Sequence, residues 1–404
     1  MKWRNKGHEF DCFAKEIVQN FRAKGEKIYI FGAGLIGEEI RPILEKTGYF
    51  CGFIDNDTKK QAAGVNGAKV ISLQDYLAGE GQGLVIIAAD TKNIPVITKQ
   101  LADAGLREVK DFYDRKDFMK NVFPVLTAYA NDQIYVELAQ ICLTERCTLK
   151  CRNCAHGCYA VDSGSQDMSV EMAKESADSF FAHVDIVAEF VLIGGEPFLY
   201  RHLGEMIAYI GERYRDKIVV FAITTNGTIL PDRLLLDLCK KYDITIRISD
   251  YSATITRLEK QYERLKEVLA QNQISYSISG KETQWMDYGF EMVDRNWQEK
   301  ELIGVFDRCK TPCREIRGSR YYYCVMARSV SENLSLGLGA EDYLDLKELE
   351  TEDRKILLEF QMGYSEKGYL DLCNHCNGAD AVNYPIPAAE QVKTNNREKI
   401  CEEG

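Results

Sequence analysis

The segment CTLKCRNC places three thiols, Cys147, Cys151 and Cys154, within eight residues. A loop this short can wrap all three around one metal centre. Soft thiolates select zinc or iron-sulfur clusters. With Cys158 as a fourth ligand the set would make a structural zinc knot of four cysteines. Without it, a 4Fe-4S cubane, which ordinarily takes four thiolates, would keep one iron open to a small ligand. The local spacing allows both. A second group, Cys309, Cys313, Cys324, Cys373 and Cys376, ends in CNHC and is compatible with a zinc ribbon or with another cluster.

A different chemistry is written near the start of the chain. Gly32, Gly34 and Gly37 form GxGxxG directly after the apolar run KIYIF, and Asp55 closes the next apolar run. Strand, glycine turn, helix and a later acid are the context of a dinucleotide fingerprint, in which a pyrophosphate approaches a helix N-terminus. The expected ligand is a nucleotide, a nucleotide sugar or NAD. No second mononucleotide half is evident, so a purely structural or dimerising role also stays open.

These residues need elements to hold them. Residues 9–24 read as a short amphipathic helix, and alternating strands and helices over 25–115 predict a Rossmann-like parallel sheet. Residues 116–133 read as a linker. From 134 to 300 the runs IYVELAQICL, EFVLIGG, KIVVFAITT and DITIRIS alternate with helical patterns, as in an open or closed β/α barrel, whose active sites sit at the C-terminal strand ends. Residues 301–380 read as a small cysteine-rich domain and 381–404 as a polar tail. The fold class is therefore α/β in three parts.

The order of motifs in the middle domain resembles the radical S-adenosylmethionine (radical SAM) superfamily. Its CxxxCxxC loop follows the first strand of a partial (β/α)6 barrel, and a GGE-type turn follows the second; here EFVLI is followed by Gly194, Gly195, Glu196 and Pro197. Thr224, Thr225 and Asn226 end the next strand, and Ser249 and Asp250 the one after. The resemblance implies that Cys147, Cys151 and Cys154 hold a 4Fe-4S cluster. It also implies that Gly194, Gly195, Glu196, Pro197, Thr224, Thr225, Asn226 and Ser249 contact S-adenosylmethionine. One-electron cleavage of that cofactor would give a 5′-deoxyadenosyl radical. Asn153 departs from the aromatic residue usual before the third cysteine. Position near the barrel mouth makes Glu196, Asp250, Tyr251 and Arg247 the candidate catalytic residues.

The last domain resembles a Twitch or SPASM extension, which implies one auxiliary 4Fe-4S cluster on Cys309, Cys324, Cys373 and Cys376, with Cys313 spare or in place of Cys309. An electron-accepting cluster favours oxidation of the substrate over hydrogen exchange; Cys158 or Cys239 could donate hydrogen in an epimerase instead. The N-terminal domain resembles small Rossmann-like domains of sugar-modifying enzymes, so the expected substrate is a sugar, polyol or nucleotide-linked derivative, and the expected electron donor a flavodoxin or ferredoxin. A peptide maturase and a non-enzymatic zinc protein are the competing readings.

Composition narrows the field. The chain has 404 residues, 45% apolar and 28% charged, with a formal charge of −11; an acidic balance without a basic stripe argues against a nucleic-acid partner. No run approaches a membrane span. Fourteen cysteines without an export signal fit a cytoplasmic location, where thiols stay reduced and serve metals or catalysis.

Overall fold

The computed structural model describes residues 1–80, 82–161, 167–290, 294–309, 311, 313–339, 342–350 and 353–392. Residues 393–404, the last part of the expected tail, lie outside the described residues.

The N-terminal sheet has five parallel strands, β1 (Ile28–Phe31), β2 (Phe50–Ile54), β3 (Val70–Ile71), β4 (Leu84–Ile87) and β5 (Phe112–Asp114), in the order β3-β2-β1-β4-β5. Alternation along IYIF sends Ile28 and Ile30 into one core and Tyr29 and Phe31 into another on the opposite face. The first of these cores is continuous with that of the rest of the molecule. The segment expected as a linker makes that continuity. It is helical over Arg115–Asn131 and buries Phe118, Val122, Phe123 and Leu126; with this many apolar side chains it packs as core and spans no gap.

The second sheet contains β6 (Tyr135–Cys142), β7 (Ile186–Ile193), β8 (Ile218–Thr225), β9 (Ile244–Ile248) and β10 (Tyr276–Ile278), all parallel and in sequential order. A sixth parallel strand, β12 (Arg314–Arg317), comes from the cysteine-rich region and pairs with β6. It thus closes the sheet at its first strand instead of following β10. The hairpin partner β13 (Arg320–Tyr322) and then β14 (Tyr343–Asp345) continue antiparallel, so one eight-stranded sheet runs through barrel and cysteine-rich region alike. Gly318 makes the hairpin turn at φ +61° and donates its N–H to Ser176 Oγ at 2.8 Å.

Residues 384–392, part of the expected polar tail, are folded onto the body. Here β15 (Pro385–Pro387) pairs antiparallel with β11 (Gln284–Met286), and Gln391 then bridges to Cys151. No helix of the described residues is long and apolar enough to cross a membrane.

Candidate functional site

The cysteine loop leaves the C-terminal end of β6 and is pinned from two sides. Arg146 forms a two-pronged contact with Asp167, Nε and Nη2 each at 2.8 Å, and its Nη2 also donates to Leu199 O at 2.7 Å. The turn after β7 holds it from the other side. Gly195 N donates to Thr144 O at 2.7 Å and Glu196 N to Arg146 O at 2.8 Å. A Cβ on Gly194 would meet Thr144 O at 2.5 Å, and one on Gly195 would meet Arg146 O at 2.3 Å. The glycines are therefore needed for the cysteine loop to approach, whereas the sequence alone suggests the approach of a ligand.

Cys147, Cys151 and Cys154 line one cavity of about 360 Å³, together with Gly194, Gly195, Thr224, Thr225, Asn226, Ser249 and Tyr251. The donor set suits an iron-sulfur cluster: three thiols from one loop, with open space beyond them on the side of the strand ends. Among the described residues no three Cys, His, Asp or Glu groups converge on a single metal ion. Burial pushes the Cys147 thiol up to about 11 and the Cys151 thiol up to about 12. Cys154 is drawn down to about 7 by a hydrogen bond from the Cys158 thiol, against burial and with backbone N–H groups of His156, Cys158 and Gly157.

Other expected site residues are placed differently. Glu196 is fully buried and lies outside that lining. Its carboxylate clasps the ends of β7 and β8, accepting from Thr225 Oγ1 at 2.8 and 2.9 Å, Asn226 N at 2.9 Å and Phe198 N at 3.1 Å. Burial lifts its pKa to about 7 in spite of those bonds. Pro197 begins the short 3-10 turn that Glu196 caps. Arg247 on β9 reaches across β8 to pair with Glu189 on β7 at 2.8 Å, and Asp250 caps its own turn by accepting from Ser252 N and Oγ. Of the four candidate catalytic residues only Tyr251 lines the cavity. Glu196 and Asp250 each hold a turn, and Arg247 is ion-paired on the sheet. Cys158 is buried behind Cys154 and Cys239 lies in a helix core, so neither lines the cavity.

Asn153 lines the cavity at φ +57°. Asn adopts this left-handed conformation more readily than an aromatic residue. The aromatic wall comes from elsewhere: Tyr251 and Trp285 meet edge to face at 5.6 Å, joined by Met286 and Tyr288. Sequence reasoning misses Gln284, Trp285, Met286 and Tyr288. Their one signal is the aromatic-rich run QWMDYGF in a stretch without helix or strand periodicity.

In the last domain Cys309, Cys324, Cys373 and Cys376 line one apolar pocket with Tyr288, Phe306, Leu370 and Leu372, and Cys313 is absent from its lining. Cys309 caps the end of helix Glu299–Arg308, Cys324 precedes helix Val325–Asn333, and Cys373 and Cys376 belong to one 3-10 turn and its end. Tyr288 belongs to both pockets.

At the N-terminal sheet, Gly32, Gly34 and Asp55 line a cleft of about 500 Å³ with Asn56, Lys60 and Asp90. Gly37 lies outside that lining; a Cβ there would meet Gly32 O at 2.1 Å. Asp55 accepts from Ala33 N at 2.9 Å and Lys60 Nζ at 3.0 Å, so part of its capacity already goes to fixing the glycine turn.

Residues 141–249 match the Radical SAM superfamily. A 95-residue stretch is 36% identical to GTP 3′,8-cyclase of Stenotrophomonas maltophilia (strain R551-3), covering 24% of this chain and 28% of that protein. The chain thus matches little more than a quarter of this curated relative. Among solved structures, BtrN in complex with AdoMet and 2-DOIA is 14% identical over 64% of this chain and 98% of its own, at a TM-score of 0.40. SuiB of Streptococcus suis bound to S-adenosylmethionine is 17% identical over 54% and 48%, at 0.30.

Proposed function

From the premise that residues 141–249 are a radical SAM superfamily domain, we propose that this chain is an enzyme that cleaves S-adenosylmethionine reductively and oxidises a small substrate. The observation that carries the reading is the pairing of two unlike thiol pockets, three cysteines on a roomy cavity and four on a small apolar one, with Tyr288 in the wall of both. When bound at Cys147, Cys151 and Cys154, a 4Fe-4S cluster supplies the electron that splits the sulfonium and frees a 5′-deoxyadenosyl radical.

The chain's own residues position that event. Thr224, Thr225, Asn226 and Ser249 offer polar groups for the cofactor's amino-acid and ribose portions at the strand ends. Tyr251, Trp285 and Met286 wall off water and supply apolar surface for its adenine and for the substrate. Cys309, Cys324, Cys373 and Cys376 provide a complete four-thiolate set for an auxiliary 4Fe-4S cluster. A cluster held there by these four thiolates would supply an electron acceptor for the substrate, and that favours dehydrogenation. Cys313 is spare. A flavodoxin or ferredoxin would deliver the first electron.

The substrate class rests on the N-terminal cleft, whose glycine turn, Lys60 and helix N-terminus suit a phosphate-bearing ligand. A sugar or nucleotide-linked sugar is the reading we favour. Anaerobic reconstitution should give a brown protein, and incubation with S-adenosylmethionine and a panel of nucleotide sugars should raise 5′-deoxyadenosine above background. Turnover at background with every sugar, and above it with a peptide, would overturn the substrate class. A colourless zinc protein would overturn the enzyme.

A further inference from the structure

The folded end of the chain touches the cysteine loop in a way the reaction itself does not demand. Lys150 N donates to Gln391 Oε1 at 2.9 Å, Arg152 N to Glu390 O at 2.6 Å and Val392 N to Lys150 O at 2.8 Å. These bonds bracket Cys151 on both sides. Between them Gln391 Nε2 donates to Cys151 Sγ at 3.2 Å and to Ala389 O at 2.8 Å. Gln391 sits at the surface, yet both ends of its amide are committed, and Cys151 itself is only 7% exposed. The rest of the strap is held in place by β15 on β11 and by Asp287 N donating to Tyr384 O at 2.9 Å.

The other loop thiols have their donors from within the barrel. Asn226 Nδ2 donates to Cys147 Sγ at 3.4 Å, and backbone N–H groups of the following turn reach Cys154. The donor to Cys151, by contrast, comes from a residue 240 positions away in sequence.

We propose that Gln391 is a positioning residue that sets the reduction potential of the cluster held by Cys147, Cys151 and Cys154. The inference rests on the reading above that these thiols hold a cluster. An N–H dipole aimed at a ligand sulfur favours the more negative, reduced state, so the bond raises the potential and its removal lowers it. The same amide fixes the loop through Lys150 N. Assembly of the C-terminal strap is thereby coupled to how readily the cluster accepts its electron.

The test compares the full-length parent chain with Gln391→Met and Gln391→Lys, each reconstituted anaerobically and titrated redox-wise by electron paramagnetic resonance. The cluster with an open iron is identified as the signal that changes when S-adenosylmethionine is added. Both variants lose the acceptor for Lys150 N, but only the lysine restores a donor toward Cys151. The expected result is equal iron in all three, a midpoint shifted negative in Gln391→Met, and a midpoint at or above the parent's in Gln391→Lys. Midpoints unchanged in both variants, or shifted together, would overturn the tuning role, as would loss of iron from both, which would make Gln391 a clamp only. Absence of any S-adenosylmethionine-responsive signal in the parent would overturn the functional reading itself, and this inference with it.

Discussion

The two thiol pockets are built on opposite plans. In the barrel, three cysteines of one eight-residue loop face a roomy cavity rimmed by threonines, two asparagines and aromatic rings. In the last domain, four cysteines brought from three separate turns face a small apolar enclosure. A local loop can leave one corner of a cubane free for a ligand, whereas ligands gathered from distant turns surround it. Under the proposed function, the contrast is between a site that would bind a ligand and one that would only hold its metal. Between them lies a buried ionic link: Arg328, four residues after Cys324, pairs with Glu145, two residues before Cys147, at 2.5 Å, and with Glu315 on β12 at 2.6 Å.

The bluntest way to break this contrast is to remove the open site's thiols. A triple Cys147, Cys151, Cys154 to alanine variant should lose all 5′-deoxyadenosine formation while keeping the iron of the closed pocket, measured by iron content and optical absorbance. Next, Cys309→Ala and Cys313→Ala should part company: the first is expected to lose the auxiliary iron, and the second to retain it. Equal losses would mean that Cys313 can ligate. Smaller in effect is the ionic link. Arg328→Met leaves the fully buried Glu315 without its cation and Glu145 with only the more distant Arg317, and should lower unfolding free energy by about 3–5 kcal/mol in chemical denaturation.

The subtlest contrast is in pH. Glu196 has a folded pKa of about 7, above its unfolded value near 4.5. The folded state therefore holds the proton more tightly, and the stability contributed by the neutral carboxyl is present below pH 4.5 and lost as pH rises toward 7. The difference in melting temperature between the parent and Glu196→Gln should move steadily against the parent from about pH 5 to about pH 7.5. A difference that stays flat would mean the carboxyl ionises normally in the fold.

What the sequence reveals follows from how local each feature is. The cysteine loop, the glycine turn after β7 and the fingerprint after β1 are short runs whose residue types declare their geometry. The alternation of IYIF shows directly in the two cores of the first sheet. Glu196 misleads because a carboxylate at a strand end looks the same whether it faces a ligand or clasps the neighbouring strand through Thr225. Residues 116–133 read as a connecting helix or loop, and their burial goes unread because PVLTAYA, apolar on all sides, has no amphipathic stripe to mark a packed face. Cys309 cannot be told from Cys313 by spacing; only the fold shows that Cys309, at the end of helix Glu299–Arg308, lines the pocket and that Cys313 does not. Gln391 and the aromatic wall at 284–288 depend on contacts between distant segments, which no short window contains.

The pairing of β12 with β6 has a consequence for biosynthesis. During translation the first strand of the barrel emerges long before its neighbour on that side, because about 170 residues separate Cys142 from Arg314. Until then one margin of the nascent sheet presents unsatisfied amides, an invitation to wrong partners. The strand that carries the cysteine loop therefore stays unflanked on that side until residues 314–317 have been made.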